Sequence, residues 1–302
     1  MKNDNIYIIR YTKITMVKIS LNLNEDIHQN ANNYFLKSKK IKNKLPGVDL
    51  IIERTLKEIE EFEKNKEEYV KKKETKEKIS NLKKTQWFEK FRYTYTSSNN
   101  LLVFGKDAGT NEVLLKKHLS QNDIVFHTEA PGSPFGILKD VVSINQETKE
   151  RIVDLDKREL QEAAQVICCF SSQWKKGFGT ADAFWVFSDQ VSKTANTGEY
   201  ISKGSFMVRG DKNILKNLVL EICLGIEKKE IIDEDNDISH KYYELYSGGE
   251  NSVKKKCGQR YIKLIPGQDN YKVLGREIKK KLSADISDLP TWIPNNCKIT
   301  KK

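Results

Sequence analysis

The sequence predicts an α+β fold, in which helices pack on a mostly antiparallel or mixed sheet after a short, coiled-coil-like helical hairpin. Beyond Trp87, short aromatic and β-branched runs follow one another with turn residues between them, which is typical of neighbouring strands. Before Trp87, Lys and Glu dominate and apolar residues recur at helical spacing. Four segments are therefore expected: an N-terminal extension with a short strand (1–25), a helical segment (26–85), a core (86–226) and a C-terminal α/β extension of that core (227–302).

The N-terminal extension contains one alternating apolar and polar run, Val17–Leu23, which predicts a short half-buried strand. Met16 immediately precedes this run. The sequence therefore leaves open whether translation begins at Met1 or at Met16.

The helical segment is expected to hold two helices, separated at Pro46-Gly47 because proline and glycine interrupt helices. Coiled-coil spacing is seen in the second helix at Ile52, Leu56, Ile59 and Phe62. Residues 37–84 contain 16 Lys or Arg against 10 Asp or Glu. Two interpretations stay open: a solvated helix with i,i+4 charge pairs, or a scaffold in which residues 48–84 bind a partner protein.

Beyond Trp87 the sequence predicts nine strands and three helices. The strands are Lys90–Tyr95, Leu101–Phe104, Ile124–Phe126, Phe135–Leu138, Phe184–Phe187, Phe206–Val208, Leu218–Ile222, Tyr242–Tyr246 and Tyr261–Leu264. The helices are Asn111–Leu119, Lys157–Lys175 and Asn270–Leu282. Residues 228–240 are expected to form an acidic surface loop.

Composition limits the classes of partner. The 302 residues carry a formal charge of +11, which favours a polyanion such as RNA, DNA or an acidic membrane surface. Arg10, Lys13 and Lys18 interrupt the first apolar run, so a membrane span is not expected. The five cysteines lack zinc-site spacing and are expected to be free thiols in a reducing compartment. We therefore expect a cytoplasmic protein without a metal, a cofactor or a membrane partner.

Candidate site residues first occur in the loop Gly105–Glu112, which leads from a strand into a helix. The unpaired N–H groups of a first helical turn can hold a phosphate. Asp107 and Glu112 can occupy those donors instead, as ordinary helix caps do, and capping is the stronger interpretation from these residues alone.

In the segment Asp123–Pro134, His127 and Glu129 lie two residues apart and so share one face of an extended chain. With Ser133 nearby, this combination permits a catalytic interpretation. A hydrogen-bonded structural histidine near a Pro-Gly turn is the stronger one, because no nucleophile–base pattern is evident.

The segment Gln190–Gly210 intersperses Lys193 and Arg209 with aromatic and hydroxyl residues, including Tyr200. Cations bind phosphates and aromatic faces stack on bases, so this composition is typical of RNA-binding loops. A lysine-bearing hairpin with core aromatics explains the spacing equally well. In Trp174–Thr180, by contrast, the glycines need no functional explanation, because Gly177 is suited to ending a helix.

Taken together, these motifs resemble the NFACT-R domain of ribosome quality control factors. Trp87–Phe91 resembles the family's Trp-Phe-Glu-Lys-Phe opening, and the family's later motifs have counterparts in Gly105–Glu112, Asp123–Ser133, Gln190–Tyr200 and Gly204–Gly210. Leu21–Asn24 and Asn30–Phe35 are similar to the segment that precedes the domain in full-length relatives. The chain resembles a stand-alone NFACT-R protein of archaeal type.

The resemblance implies an RNA-facing surface. Full-length relatives bind the large ribosomal subunit carrying obstructed peptidyl-tRNA and recruit tRNA for tail elongation, but elongation is not expected here because their N-terminal module has no counterpart. The RNA-binding residues that the resemblance implies are Lys106, Asp107, Asn111, Glu112, His127, Ser133, Lys193, Glu199, Tyr200 and Arg209. The carboxylates are expected to order loops or to accept bonds from bases and riboses, because they repel phosphate.

Two functions follow as hypotheses. The first is a non-catalytic protein that binds tRNA, large-subunit ribosomal RNA or both in translation or ribosome-associated quality control, with the large subunit as a further partner. The alternative is an RNA-modifying or RNA-cleaving enzyme that uses His127, Glu129 and Asp107.

Overall fold

The computed structural model describes residues 5–12, 15–64, 66–194, 201–233, 237–283 and 289–300. The chain divides into two compact units, Met1–Ser80 and Asn81–Lys302. Helices and antiparallel sheets both contribute extensively, so the predicted α+β class is confirmed. No helix in these described ranges is both long enough and apolar enough to cross a bilayer.

The first unit begins with an antiparallel hairpin of two strands, β1 (Asn5–Thr12) and β2 (Thr15–Asn22). Helix α1 follows at Ile27–Lys64, and helix α2 spans Lys66–Leu82. The chain enters α1 through a reciprocal cap: Gln29 N donates to Asp26 Oδ1 (2.6 Å) while Asp26 N donates to Gln29 Oε1 (3.0 Å).

Helix α1 continues through Pro46-Gly47, so the predicted break there is wrong. Proline removes one backbone donor from a helix interior and crowds the preceding turn. The flanking residues are mostly Lys, Leu, Ile and Glu, whose helix propensity favours continuation on both sides. The local cost of Pro46-Gly47 is therefore too small to end the helix.

The strands of the second unit are β3 (Arg92–Tyr95), β4 (Leu101–Phe104), β5 (Ile124–Thr128), β6 (Gly136–Leu138), β7 (Val142–Ile144), β8 (Arg151–Val153), β9 (Thr180–Phe187), β10 (Val191–Ser192), β11 (Met207–Val208), β12 (Asn213–Val219), β13 (Ile222–Asp233), β14 (Ile238–Gly248), β15 (Tyr261–Asp269) and β16 (Cys297–Ile299). The α-helices are α3 (Ala108–His118), α4 (Lys157–Cys169), α5 (Ser172–Lys175), α6 (Glu250–Cys257), α7 (Tyr271–Leu282) and α8 (Leu289–Trp292). A 3₁₀ turn at Trp87–Lys90 precedes β3.

A six-stranded antiparallel sheet in the order β12-β9-β5-β6-β4-β3 forms the centre of this unit. Leu114 and Leu115 of α3 pack on one face, and Ala163, Ala164 and Ile167 of α4 pack on the other. Because helices cover both faces, consecutive strand residues are buried, which explains the continuous apolar runs in the sequence.

A four-stranded sheet in the order β14-β13-β15-β16 packs beside the first one. Buried polar groups join them: Thr94 Oγ1 of β3 donates to Ser247 O (2.7 Å), and Tyr95 N donates to Tyr246 Oη (2.9 Å). Farther along, Trp174 Nε1 donates to Asn295 O (3.1 Å). The C-terminal residues thus satisfy donors of the central sheet and α5.

Three sequence predictions differ from the structure in this unit. The helix predicted over 157–175 is two helices, because Ser171 caps α5 by accepting from Gln173 N (3.2 Å). The strand predicted over Leu218–Ile222 is the junction of β12 and β13. The acidic loop predicted over 228–240 is wrong through Asp233 and from Ile238, where cross-strand pairing with opposite charges such as Glu230 against Lys241 extends a β-hairpin.

Candidate nucleic-acid interface

The loop before α3 is closed by a capping box. Asp107 Oδ1 accepts a hydrogen bond from Thr110 N (2.8 Å), and Thr110 Oγ1 accepts one from Asp107 N (2.8 Å). The bond from the Thr110 amide is the main reason that the pKa of Asp107 is lowered. The predicted capping role is confirmed for Asp107, whose carboxylate orders the loop, whereas Glu112 accepts from Gly204 N instead of capping the helix.

Asn111 connects the loop to the segment after His127. Its side-chain Oδ1 accepts from Phe135 N (3.2 Å), and the side chain is buried. Gly105 leaves room for it, since a Cβ at this position would lie 1.9 Å from Asn111 Oδ1. The first two motifs are therefore joined by a direct contact that only a residue without a side chain permits at position 105.

Glu112 and Gly204 connect the same loop to the third motif. Glu112 Oε2 accepts from Gly204 N (3.1 Å), and Glu112 pairs with Lys116 (2.7 Å) and Lys193 (3.5 Å). These contacts, that with Lys116 first, lower the pKa of Glu112 to about 2. Gly204 has φ +77°, and a Cβ there would lie 2.4 Å from Ala108 Cα. Both the backbone conformation and the lack of space therefore require glycine at this position.

Lys193 holds the third motif together. Its Nζ donates to Ser202 O and Ser205 O, both at 2.9 Å, and lies 4.9 Å from the centre of the Phe206 ring. With Glu112 also close, the charge of Lys193 is largely compensated inside the loop. Arg209 is exposed, and its guanidinium donates to Thr194 O (3.1 Å).

An aromatic row crosses this region. The His127 ring lies 4.2 Å from the Phe135 ring, which makes an edge contact with Phe206 at 5.6 Å. His127 Nδ1 lies 2.6 Å from Thr128 O, and burial is the main cause that lowers the pKa of His127. Ser133 Oγ donates to Pro134 O (3.0 Å). The imidazole is thus mostly neutral at pH 7 and packed as an aromatic ring.

A further cation of this surface, Lys212, was not predicted from the sequence. Its Nζ pairs with Glu129 (3.1 Å) and lies 4.3 Å from the centre of the Phe184 ring. Lys212 follows the Arg-Gly pair that ends the third motif, so a search extended by two residues would have included it. Lys203 also lies on this surface, where its Cε would be 3.9 Å from a Cβ added at Gly109.

The structure therefore brings together loops that are distant in the sequence. These contacts join Asp107, Asn111, Glu112, His127, Ser133, Lys193 and Arg209, and the exposed Lys106 lies on the same capping loop. Glu199 and Tyr200 lie outside the described residues. We call the assembled region, formed by residues 105–112, 127–135 and 190–212 as far as the structure describes them, the loop surface.

The described residues of the loop surface do not bring His127, Asp107 and Glu129 into hydrogen-bond contact with one another. In the part of the chain that the structure describes, His127 makes no hydrogen bond to Asp107 or Glu129, whose carboxylates are engaged by Thr110 and Lys212. Within the same residues, no group of three His, Cys, Asp or Glu side chains is placed to hold a metal ion. All five cysteines are buried, as expected for unreactive free thiols.

Fold and surface together define an α+β domain that carries exposed cations beside half-buried aromatic rings. Residues 84–210 match the NFACT protein RNA binding domain family. This chain therefore carries an NFACT-R domain and is related to the NFACT proteins, as its motifs predict.

Its relatives are larger proteins. The chain is 32% identical to the archaeal Rqc2 homolog aRqcH of Methanocaldococcus jannaschii, over 73% of this chain and 30% of the relative. It is 33% identical to the ribosome quality control complex subunit NEMF of Mus musculus, over 68% of this chain and 20% of the relative. A NEMF homolog of Drosophila melanogaster is 32% identical over 95% of this chain and 26% of its own length. The chain thus spans less than a third of each of these relatives.

Proposed function

We propose that this chain binds RNA through the loop surface and acts in ribosome-associated quality control, without catalysing a reaction on the RNA. The proposed ligands are tRNA, large-subunit ribosomal RNA or both, with the large ribosomal subunit as a partner in the cytoplasm. The observation that carries the proposal is the convergence of three sequence-distant motifs on one face, through Asn111, Glu112 and Gly204. The family match over residues 84–210 and the quality control relatives support it.

The chemistry of the face suits folded or single-stranded RNA. Asp107 and Glu112 accept hydrogen bonds from backbone N–H groups and thereby order the loops, and Lys116 and Lys193 offset the charge of Glu112. Lys106 and Lys203 are exposed cations of the loop surface. His127 and Phe206 are half-buried and present part of their rings, whereas Phe135 between them is buried in the core. Cations beside aromatic rings are the usual combination in RNA recognition.

The decisive experiment removes exposed charge and leaves Asp107, Asn111 and Glu112, which order the loops, unchanged. The variant Lys106→Gln/Lys203→Gln is compared with wild type in equilibrium binding of purified tRNA and of large-subunit rRNA fragments. If each lysine contacts one phosphate, the variant binds roughly tenfold more weakly at ~0.15 M salt, and the slope of log K against log salt falls by about 1.4 to 1.8.

A matched control carries the same change of charge elsewhere. Lys228 and Lys241 are exposed on the β13–β14 hairpin, so Lys228→Gln/Lys241→Gln should retain wild-type affinity and slope. Equal losses in both variants would show that net charge alone attracts RNA, and wild-type binding by the first variant would refute the loop surface. Crosslinking in cells with sequencing of the attached RNA then identifies the ligand.

A second role is favoured by α1, which exposes apolar side chains at coiled-coil spacing. Ile41, Val48, Ile52 and Ile59 have exposed fractions of 60%, 47%, 52% and 48%. Such a face is typical of a protein-binding helix. We propose that the helical segment binds a protein partner, independently of the loop surface.

A further inference from the structure

A second cluster of cations lies at the other end of α3. It consists of Trp87, Lys90, Lys117, His118 and Lys139, which we call the α3 C-terminal patch. Helix α3 is 11 residues long, so about 16 Å separate this patch from the Asp107 end of the helix. The sequence motif at Trp87–Phe91 contributes two members, and the loop surface uses neither of them.

Three separate elements bring these side chains together. The rings of Trp87 and His118 are stacked, with centroids 4.2 Å apart and planes inclined by 14°. Lys139, which follows β6, donates through Nζ to His118 O (2.9 Å). Burial is the main cause that lowers the pKa of His118, and the charges of Lys139, Lys117 and Lys90 lower it further. The positive charges therefore act on one common point.

Capping of α3 explains only part of this cluster. Cations at a helix C-terminus oppose its dipole, which accounts for Lys117 and His118 on α3 itself. Lys139, which follows β6, caps this turn by donating to His118 O and also pairs with Asp123. Lys90 comes from the 3₁₀ turn, and the described residues show no such contact for it. Lys90 therefore adds a like charge beside Lys117 and His118 that the capping of α3 does not explain.

Nearby carboxylates are already engaged, so part of the charge is uncompensated. Asp123 pairs with Lys139 (2.6 Å), and it also accepts from Ser120 N and Asp140 N. Glu112 pairs with Lys116. In the described part of the chain, neither of the exposed side chains of Lys90 and Lys117 forms an ion pair.

The outward face of α3 connects the patch with the loop surface. One face of α3 carries residues at helical spacing, namely Glu112, Val113, Lys116 and Lys117. Val113 on this face is 41% exposed. At about 3.4 Å per stacked nucleotide, a strand of about five nucleotides covers the length of the helix.

We propose that the α3 C-terminal patch is a second binding surface for the RNA phosphate backbone, and that one strand runs along α3 from the loop surface to this patch. Lys90 and Lys117 contact phosphates, and the Trp87–His118 pair provides the adjoining aromatic surface. The inference rests on the proposed RNA-binding function and adds the path and length of the bound strand.

The test compares short and long single-stranded RNA of one base composition. A strand of about four nucleotides reaches one surface at a time, whereas a strand of about ten reaches both. Wild type should bind the longer strand more tightly. The variant Lys90→Gln/Lys117→Gln should lose that gain, binding the longer strand roughly tenfold more weakly at ~0.15 M salt with a slope reduced by about 1.4, while its affinity for the shorter strand changes little.

The outcomes separate this inference from the proposed function. If Lys90→Gln/Lys117→Gln binds both strands like wild type while Lys106→Gln/Lys203→Gln loses affinity, the second surface is refuted and the loop surface stands. If wild type binds neither strand, both fail. The Lys228→Gln/Lys241→Gln control, with unchanged thermal unfolding verified for every variant, must keep the gain from lengthening; a loss there would attribute the gain to net charge and overturn the patch.

Discussion

Helices α1 and α4 both carry a periodic apolar stripe, but the stripe is buried on α4 and exposed on α1. On α4, Ala164 and Ile167 are fully buried against the central sheet. On α1, Ile41 and Ile52 leave 60% and 52% of their surface exposed. Periodicity thus predicts that a helix forms and which side is apolar, but not what covers that side. Burial depends on partners that are distant in the sequence.

The largest loss of stability is expected at Trp174, a core side chain that both fills space and donates a hydrogen bond. Trp174 is 1% exposed, and its Nε1 donates to Asn295 O. Trp174→Ala should lower the free energy of unfolding by about 3–5 kcal/mol, because it opens a cavity and leaves the carbonyl unpaired. Urea denaturation measures the change, and a loss below ~1 kcal/mol would contradict this account of the core.

A matched pair of smaller truncations compares the two helices directly. Ile167→Ala in α4 should cost about 2–5 kcal/mol, whereas Ile52→Ala in α1 should change the free energy of unfolding by no more than ~0.5 kcal/mol. The exposed site loses little burial, and alanine has the higher helix propensity. The same urea titration checks both, and a large loss at Ile52 would show that its apolar face is covered in solution.

A smaller effect is expected from pH. Burial lowers the pKa of His127 in the folded protein, so the unfolded chain binds the proton more readily. The stability that the neutral, buried His127 contributes is fully present above the ordinary histidine pKa of about 6.5 and is lost as the pH falls below it. Unfolding followed between about pH 7.5 and 5.5 should show declining stability, with a shallower decline for His127→Gln. His118, whose pKa is also lowered, leaves part of the slope in that variant; an unchanged slope would contradict the burial of His127.

The sequence predicts local features of the fold and site well. Strands such as Leu101–Phe104 and Tyr261–Leu264, and the helix from Tyr271 to Leu282, lie where alternation and periodicity place them. The cap at Asp107 follows from residues four positions apart or fewer. These features depend on neighbours in the chain, which a pattern can register.

Features that depend on distant contacts were missed. The strands that end at Asp233 and begin at Ile238 pair with each other and are joined by the ion pair of Lys229 with Glu244 (2.7 Å), whereas the local composition indicated a loop. Lys193 was predicted to face RNA, a prediction that remains untested, but its engagement by Ser202 O, Ser205 O and Glu112 becomes visible only in three dimensions. The role of a cation thus depends on how many acceptors surround it.

Strand β13 has a practical consequence for anyone who wishes to move this domain into another protein. The expected limit at residues 226 and 227 falls inside it, and its first residues pair with β15 while Thr94 and Trp174 depend on groups beyond residue 245. We therefore expect the stretch that matches the NFACT-R family, residues 84–210, to need these later residues for its packing. A graft that ends near residue 210 would carry the motifs but abandon the scaffold that shapes them.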